Sequence, residues 1–389
     1  MQSLDGDVTL NVVCEGDPYQ MGLTQGTVLR EKIQAAMSVL LELEAFQLQK
    51  PRWLPLQAYR WLAERKAERY IEGALQRDEA LFAQRLAGMA EGAGVSGRSV
   101  ALLNVMEAVL SDLRPSTVVP VAAGCSAMAV TDGASASGEP MVAHNFDYLP
   151  QVQPFYCLRE SRPDGKLRSL EFTLAPLCGV VDGINEAGLC ITNNYAYATD
   201  ADHPAPTISM LVSDALAHST TVDDAIERLR RAARTGGGIL MLADAEGKIA
   251  SLELSSTRSA VRRPNGNADW LAHTNRFQCA EMADVELDAQ GVFSKRAPSP
   301  LRGLRVHDSA DERDQRFRER LEECSRLTAE SIDKLMADHG PLGNPSLGTI
   351  CMHSDYWYTT ACVRLFPRSR RMRVAYAPAC TAQYSEFQV

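Results

Sequence analysis

The feature that most constrains the fold is a change of residue pattern at Gly124-Cys125. Upstream of this point, apolar residues recur at steps of three, four and seven, a spacing typical of helices. Downstream, short apolar runs alternate with turn residues, a pattern typical of strands. We therefore expect a helical layer over residues 15–120 and a sheet-rich segment from residue 125 onward. The predicted helices are 18–50, 56–92 and 98–112, after a short strand over 8–13.

The segment after Cys125 contains two groups of predicted strands with helices between and after them. Strands in two groups suggest two sheets packed face to face and covered by helical layers. The sequence Asn185-Glu186-Ala187-Gly188 predicts a tight hairpin, and residues 281–308 a long surface loop. The predicted strands are 125–131, 139–147, 154–161, 168–174, 178–184, 188–194, 238–243, 248–254, 270–274, 348–353, 358–366 and 372–377; the predicted helices are 205–219, 221–234, 311–326 and 328–338.

Composition excludes several classes of protein. The chain has 389 residues, 45% hydrophobic and 23% charged, which is typical of a globular protein and not of a disordered one. Its net charge of −9 argues against a general nucleic-acid binder. It has no apolar run long enough to span a membrane. The acidic N-terminus has no signal-peptide core, which predicts a cytoplasmic protein.

The cysteines do not form a recognisable metal or redox motif. Ten are scattered along the chain and no pair has C-x-x-C spacing, which argues against a zinc knuckle and a thioredoxin-type pair. His339, His353 and Asp355 are candidate metal ligands, but no tight pair of histidines supports them. We therefore predict neither a metal nor a cofactor.

Cys125 is the strongest candidate for a nucleophile. If the backbone were cut before it, the residue would carry both a thiol and an α-amino group, and the amine can act as the base for the thiol. The usual pKa of such an amine, about 7.7–8.0, suits proton transfer near neutrality. The cut would need an N-to-S acyl shift and hydrolysis of the resulting thioester. Gly124 would tolerate the strained backbone of that step, although Gly-Cys can also be a simple turn before a buried strand.

Other polar residues near predicted strand ends are candidate partners, each with a structural alternative. Asp147 could orient the α-amino group or cap the next turn, and His144 could donate to substrate or be structural. Asn275 could donate to an oxyanion or lie in a turn, and Asn185 and Asn193 share this ambiguity. The aromatic residues of 146–156, among them Phe146 and Tyr148, together with those of 195–197, suggest a small-molecule pocket.

These segments together resemble the acyl-coenzyme A:6-aminopenicillanic acid acyltransferase family of N-terminal nucleophile hydrolases, related to the choloylglycine hydrolases. The similarity spans nearly the whole chain and follows the family's order. It is carried by Gly16-Asp17-Pro18-Tyr19-x-Met21-Gly22, Gly124-Cys125-Ser126, His144-Asn145-Phe146-Asp147-Tyr148, Gly183-Ile184-Asn185-Glu186-Ala187-Gly188-Leu189, His273-Thr274-Asn275-Arg276-Phe277, Asp338-His339 and Gly348-Thr349-Ile350-Cys351-Met352-His353.

The resemblance implies an α+β fold, an αββα four-layer sandwich with an N-terminal helical segment. It also implies autocatalytic cleavage between Gly124 and Cys125, with fragments 1–124 and 125–389 forming one compact unit. Cys125 would be the nucleophile, Asp147 would lie in the active site and Asn275 in the oxyanion hole. Both fragments should stay associated, since neither could bury its apolar faces alone.

The resemblance also implies an active-site arginine followed by an aromatic residue. The pair Arg316-Phe317 fits this pattern best. Arg313, which stands at the position where the family has serine, is the alternative. In the related choloylglycine enzymes an arginine occupies the place of His144, so substrate recognition should differ.

The resulting hypothesis is an amide hydrolase or acyltransferase that acts on a small-molecule amide or peptide through an acyl-thioester. Hydrolysis is favoured, because acyl transfer requires that water be excluded. One alternative is an uncleaved binding or scaffold protein. Another is a cysteine hydrolase that uses His144 or His273 as base. The identity of the substrate and the oligomeric state are left open.

Overall fold

The N-terminal part of the computed structural model is a helical layer that follows one strand. Residues 8–75, 80–111, 124–200, 204–265, 269–295, 297–323 and 326–389 are described. The predicted helix 98–112 is confirmed, whereas the range 18–50 is interrupted at Leu29 and Leu43, and 56–92 comprises two helices. The predicted strand 8–13 begins later in the chain. The elements are β1 Val12–Gly16, α1 Pro18–Val28, α2 Arg30–Glu42, α3 Glu44–Gln49, α4 Leu56–Leu75, α5 Ala80–Ala93 and α6 Gly97–Ser111.

Glycines allow α1 and α5 to pack backbone against backbone. Gly22 and Gly26 on α1 face Gly88 and Gly92 on α5, and in each helix the two are four residues apart. A Cβ atom on Gly22 would collide with the carbonyl group of Arg85, and one on Gly88 would collide with a carbonyl of α1. The four-residue spacing keeps both glycines of each helix on one face.

The first sheet contains eight strands among the described residues, in the order β1-β4-β5-β6-β7-β8-β9-β10. Only β1 and β4 run parallel within it. The predicted hairpin is the turn between β6 and β7, where Gly188 has a φ of 91°. The strand β10 was not predicted. The strands are β4 Tyr156–Pro163, β5 Ser169–Leu174, β6 Asp182–Asn185, β7 Cys190–Tyr195, β8 Gly238–Ala243, β9 Ile249–Leu254 and β10 Ser259–Arg262.

The second sheet is antiparallel, in the order β11-β2-β3-β12-β13-β14. The prediction of a strand over 348–353 is wrong, because the backbone of this segment bonds to loop partners: the N–H of Cys351 to the carbonyl of Asp338, and that of His353 to Ser346. The strand β14 was not predicted. The strands are β2 Ser126–Val130, β3 Met141–Tyr148, β11 Trp270–His273, β12 Tyr358–Phe366, β13 Arg371–Ala375 and β14 Ser385–Gln388.

Four further helices cover the outer faces of the two sheets. Helices α7 (Ile208–His218) and α8 (Val222–Arg231) pack on the first sheet, and α9 (Asp308–Glu322) and α10 (Ala329–Met336) on the second. The inner faces of the sheets contact each other, for example β2 and β3 against β7 and β8. The predicted αββα sandwich of class α+β is therefore confirmed.

One hydrophobic core joins the helical layer to the sandwich. It contains Ile33 of α2 and Leu102 of α6 together with Cys157 and Phe172 of the first sheet, all fully buried. The N-terminal helices therefore pack directly against the first sheet and share its core. None of the described helices combines the length and hydrophobicity needed to cross a bilayer.

Candidate active site

Cys125 lies immediately before β2, which is flanked in the second sheet by β3 and β11. Ser126 pairs with Asn145 of β3, and Ala127 pairs with His273 of β11. Because both pairings are antiparallel, the ends of β3 and β11 lie beside the start of β2. Cys125 is 2% exposed and lines an internal cavity. Chain segments far apart in sequence therefore meet at this cysteine.

The main-chain nitrogen of Cys125 is held by Asn275. It donates to Asn275 Oδ1 at 2.7 Å, while Asn275 Nδ2 donates to the carbonyl of Tyr195 at 2.8 Å. Asn275 therefore lies at the predicted place, but it presents its acceptor to Cys125. The Nδ2 amide group carries two N–H donors, and one of them is bonded to Tyr195. Asn275 therefore holds the Cys125 nitrogen in this structure, and its role in the oxyanion hole stays a prediction.

The main-chain carbonyl of Cys125 is held by Arg313. Arg313 Nη1 donates to this carbonyl at 2.6 Å and to Ser126 Oγ at 3.0 Å, and Nη2 donates to Asn275 Oδ1 at 3.0 Å. The guanidinium is 1% exposed. A planar fork of donors suits such a buried set of acceptors. Both main-chain polar groups of Cys125 are thus bonded to side chains.

The choice of Arg316 as the family arginine is not supported by its position. Arg316 makes two hydrogen bonds to Asp338, at 2.8 and 2.7 Å, near the protein surface. Arg313 lies four residues before the fully buried Phe317 and so shares its face of α9, which points into the protein. Helical periodicity around Phe317 could have favoured Arg313.

Gly124 is closely approached by two side chains. A Cβ atom there would lie 2.9 Å from Arg313 Nη2 and 2.5 Å from Met352 Cε. A side chain at this position would therefore require the ends of Met352 and Arg313 to shift. Glycine was expected from the sequence for its tolerance of strain, and the structure adds this close approach.

Asp147 is fully buried beside Cys125. Its Oδ1 accepts from Thr359 Oγ1 at 2.5 Å, and its Oδ2 lies 4.0 Å from Arg313 Nη1. Burial raises the pKa of this carboxyl well above its usual range, against the opposing effects of Arg313 and Thr359. The backbone N–H of Asp147 lies close enough to the Cys125 thiol to favour a lower pKa of that thiol.

The Cys125 thiol is protonated in the intact chain. Burial raises its pKa well above the usual value, and the charge of Asp147 adds to this effect, while the Asp147 N–H and Arg313 oppose it. A thiol in this state needs a base before it can attack a carbonyl.

The two histidines considered as that base have other partners. His144 Nδ1 lies 2.7 and 2.9 Å from the two carboxylate oxygens of Asp182, and His273 Nδ1 lies 2.9 Å from Ser251 Oγ. Burial lowers the pKa of His273 well below its usual value. In the described parts of the chain, no hydrogen bond joins either ring to the Cys125 thiol. The geometry therefore does not favour a histidine-based cysteine hydrolase.

An apolar cavity of about 120 Å³ opens at Cys125. Phe146 and Tyr148 line it together, with rings stacked 5.2 Å apart at an interplanar angle of 10°. No charged side chain lines it among the residues that the structure describes. The helical layer and the first sheet contribute the opposite walls, with Leu40, Leu43, Leu103, Leu174 and Val181.

The candidate asparagines Asn193 and Asn185 have different environments. Asn193 lines the cavity. Asn185 Nδ2 donates at 2.8 Å to the carbonyls of Leu216 and Ser219, and its Oδ1 accepts from the N–H of Leu189 at 3.0 Å. The prediction that Asn185 supports substrate binding is therefore corrected, because this side chain holds the β6–β7 turn against α7.

Thr359 was not identified from the sequence. It is paired with Asp147 in the β3–β12 ladder, while its neighbour Thr360 instead hydrogen-bonds the hydroxyl of Tyr156 at 2.5 Å. Strand alternation predicts that the two threonines face opposite ways. Only the register of β12 against β3 shows which of them reaches the carboxylate.

Potential metal ligands converge at a second place among the described residues. These are His339, Cys351, His353 and Cys380, none of which lines the cavity at Cys125. Asp355, a candidate ligand from the sequence, is not part of this group.

Several solved structures are similar to this chain, and three of them have TM-scores below 0.5. A Caenorhabditis elegans ortholog of N-acylethanolamine-hydrolyzing acid amidase has 14% identity and a TM-score of 0.43, over 68% of this chain and all of that one. A mutant of conjugated bile acid hydrolase from Clostridium perfringens has 12% identity and a TM-score of 0.36, over 68% and 97%. Penicillin V acylase from Agrobacterium tumefaciens has 12% identity and a TM-score of 0.38, over 68% and 86%.

No curated protein matches the chain. The model of one family, described as acyl-coenzyme A:6-aminopenicillanic acid acyl-transferase, matches residues 134–377. That segment includes Asp147, Asn275 and Arg313 and begins after Cys125. Since it covers more than half of the sequence, the chain belongs to this family and is an enzyme of the amide hydrolase or N-acyltransferase type.

Proposed function

We propose that the protein is an N-terminal nucleophile amidase in which Cys125, released by cleavage after Gly124, forms an acyl-thioester with its substrate. The observation that carries this proposal is the binding of the Cys125 main chain. Asn275 accepts from its nitrogen at 2.7 Å and Arg313 donates to its carbonyl at 2.6 Å. An ordinary cysteine nucleophile has no need for side chains that orient its own backbone, whereas a cysteine whose nitrogen becomes the base does.

The maturation step that we propose takes place at the same residue. The Cys125 sulfur attacks the Gly124 carbonyl carbon, and the C–N bond breaks as its nitrogen takes up the thiol proton. Water then hydrolyses the thioester, which leaves a carboxyl group on Gly124 and regenerates the thiol. Residues 1–124 and 125–389 would be the products, held together by the shared core of Ile33, Leu102 and Phe172.

The catalytic cycle uses the released amine as base. The amine takes the thiol proton, the thiolate attacks the amide carbonyl of the substrate, and the proton passes to the leaving nitrogen. Asn275 Oδ1 holds the amine and Asp147 supplies a nearby carboxyl group. The backbone N–H of Asp147 lies near the Cys125 thiol, and Asn193 lines the same cavity. We propose these two groups as donors to the developing oxyanion.

The cavity favours an apolar, uncharged acyl group. Its walls carry aliphatic side chains from α2 and α6 and the stacked pair Phe146 and Tyr148. Burying an ionised acyl chain among them would be costly without a partner. We propose an N-acyl amide or a small peptide with an apolar acyl side as substrate. Water is the preferred acceptor and an amine the alternative. The cytoplasmic location stays a prediction from the sequence.

Denaturing mass spectrometry of the purified full chain tests the maturation step. We expect two fragments, 1–124 and 125–389, in the wild type, and one intact chain without amidase activity in Cys125→Ala. Cys190→Ala is a matched control, because Cys190 is also a fully buried cysteine at the start of a strand. It should be cleaved normally.

The outcomes separate the proposal from its rivals. Normal cleavage of Cys125→Ala would refute the mechanism. An intact wild-type chain that resists thiol alkylation would favour the scaffold protein. An intact, active chain with an alkylatable Cys125 would favour a conventional cysteine hydrolase. Incubation of the cleaved enzyme with N-acyl amides, with and without an added amine, then separates hydrolysis from acyl transfer.

A further inference from the structure

Four potential metal ligands from three chain segments lie close together near the start of β12. His339 lies shortly after α10, Cys351 and His353 lie in the segment between α10 and β12, and Cys380 follows β13. Their ligand atoms all lie within 4.8 Å of one another. Two thiols and two imidazoles form a donor set that suits tetrahedral zinc.

The measured separations fit a common central ion. His353 Nε2 lies 3.5 Å from Cys351 Sγ and 3.6 Å from Cys380 Sγ. Tetrahedral zinc with ordinary bond lengths sets a sulfur and a nitrogen ligand about 3.5 Å apart. A ring nitrogen has one lone pair or one proton, so it cannot hydrogen-bond both thiols at once. A metal ion between them would bind all three atoms.

His339 supplies an independent observation. Its Nε2 atom is buried and has no hydrogen-bond partner among the residues that the structure describes, and its ring centre lies 5.0 Å from that of His353. Buried polar atoms of side chains nearly always have a partner, so an orphaned imidazole nitrogen on a member of this cluster calls for a ligand.

Loop hydrogen bonds hold the ligands in place without the metal. The N–H of Cys351 donates to the carbonyl of Asp338 at 3.1 Å, next to His339. His353 forms a bridge with Tyr358, and their rings lie 4.3 Å apart. The same bonds that prevent 348–353 from forming a strand thus direct Cys351 and His353 to one side.

We propose that His339, Cys351, His353 and Cys380 bind one Zn²⁺ ion as a structural site. Four protein ligands leave no open position for a substrate or an activated water, which is typical of structural and not catalytic zinc. The proposal does not depend on the catalytic mechanism of Cys125.

The site would stabilise the segment that supports the active site. Met352, between the two central ligands, receives a hydrogen bond from the N–H of Thr359 at 2.8 Å and donates to its Oγ1 at 2.7 Å. Thr359 in turn donates to Asp147, and Met352 Cε occupies the space beside Gly124. Zinc would therefore act as a positioning element for Asp147 through Met352 and Thr359.

Metal analysis of the full chain tests this site. Reduced protein, purified without chelator and supplied with one equivalent of ZnCl₂, should retain about one zinc after gel filtration, as expected for a closed four-ligand site. Cobalt substitution should produce the visible bands of tetrahedral Co²⁺ and sulfur-to-cobalt charge transfer. Cys380→Ser, in which an exposed ligand changes, should weaken zinc affinity at least about tenfold. Cys279→Ser, outside the cluster, should bind zinc like the wild type.

Each result decides the proposal. Equal zinc binding by Cys380→Ser and Cys279→Ser would mean adventitious metal and would overturn it. So would the absence of both Zn²⁺ and Co²⁺ binding in fully reduced protein, or a stable Cys351–Cys380 disulfide in its place. His339→Ala serves as a second ligand variant if Cys380→Ser fails to fold, and its loss of the cobalt charge-transfer spectrum would support the site.

Discussion

Cys125 immediately precedes a strand of the second sheet and Cys190 begins a strand of the first, yet their surroundings differ. Both are fully buried, and burial raises the pKa of both thiols well above the usual value. The backbone of Cys190 is part of the ladder between β6 and β8. The backbone of Cys125 lies just outside its ladder and bonds to the side chains of Asn275 and Arg313. Burial alone therefore does not distinguish the proposed nucleophile from Cys190, whereas the side chains that hold the Cys125 main chain and the cavity that Cys125 lines do.

The largest effect should come from removing the guanidinium that holds the Cys125 carbonyl. Arg313→Met preserves the bulk but loses three hydrogen bonds to acceptors at the site. Two or more charge-assisted bonds together should be worth about a thousandfold in kcat/KM. Arg316→Met, which loses the pairings with Asp338 and Glu319, should change kcat/KM by less than about twofold, since neither partner lines the cavity at Cys125.

Steady-state kinetics on variants with matched thermal midpoints measure this difference. A strong effect of Arg316→Met together with a weak effect of Arg313→Met would reverse the assignment of the two arginines.

A smaller effect is expected from the partner of the Cys125 nitrogen. Asn275→Ala should lower kcat about a hundredfold, a loss typical of removing one preorganised hydrogen-bonding group. Asn185→Ala is its control, because Asn185 bonds to the carbonyls of Leu216 and Ser219 away from the cavity. This control should lower the melting temperature and leave kcat nearly unchanged. An unchanged kcat in Asn275→Ala would remove the residue from the mechanism.

The smallest effect concerns stability and pH in the uncleaved Cys125→Ala background. Because the pKa of Asp147 is raised in the folded state, the protonated carboxyl is favoured by folding. The contribution of the Asp147 carboxyl to the free energy of unfolding is fully present below its unfolded pKa of about 3.9. This contribution is lost as the pH rises through the folded pKa. Adding Asp147→Asn should therefore increase the free energy of unfolding at pH 8 and leave it almost unchanged near pH 4. Urea titrations at the two pH values measure the difference; an equal change at both would contradict the raised pKa.

Many residues of this site could be predicted from local sequence. The others depended on which strands pair and in which register. Cys125, Asp147 and Asn275 were candidates because Cys125 begins an apolar run and Asp147 and Asn275 end one, and the ends of neighbouring antiparallel strands meet. The orientation of Asn275 could not be predicted, since it depends on the Tyr195 carbonyl, 80 residues away. Thr359 was missed because only the register of β12 shows that it faces Asp147.

The zinc cluster illustrates the same limit. Cys351 and His353 are separated by one residue, a spacing that does not match the common C-x-x-C signal. Cys380 joins them through the turn after β13, and His339 through the end of α10. The wrong expectation of a strand over 348–353 would have placed this segment in a ladder and hidden the convergence.

By itself, the sequence determined the change from helices to strands near Gly124, most of the individual elements, the family and the candidate nucleophile. These follow from periodicity, turn residues and short motifs, all of which act over a few neighbouring residues. Only the tertiary structure decided that Arg313 and not Arg316 reaches Cys125, that Asn275 presents its oxygen, and that four metal ligands converge. The physical reason is that such contacts join side chains as many as 188 residues apart, whose distance and orientation are set by strand register and helix packing.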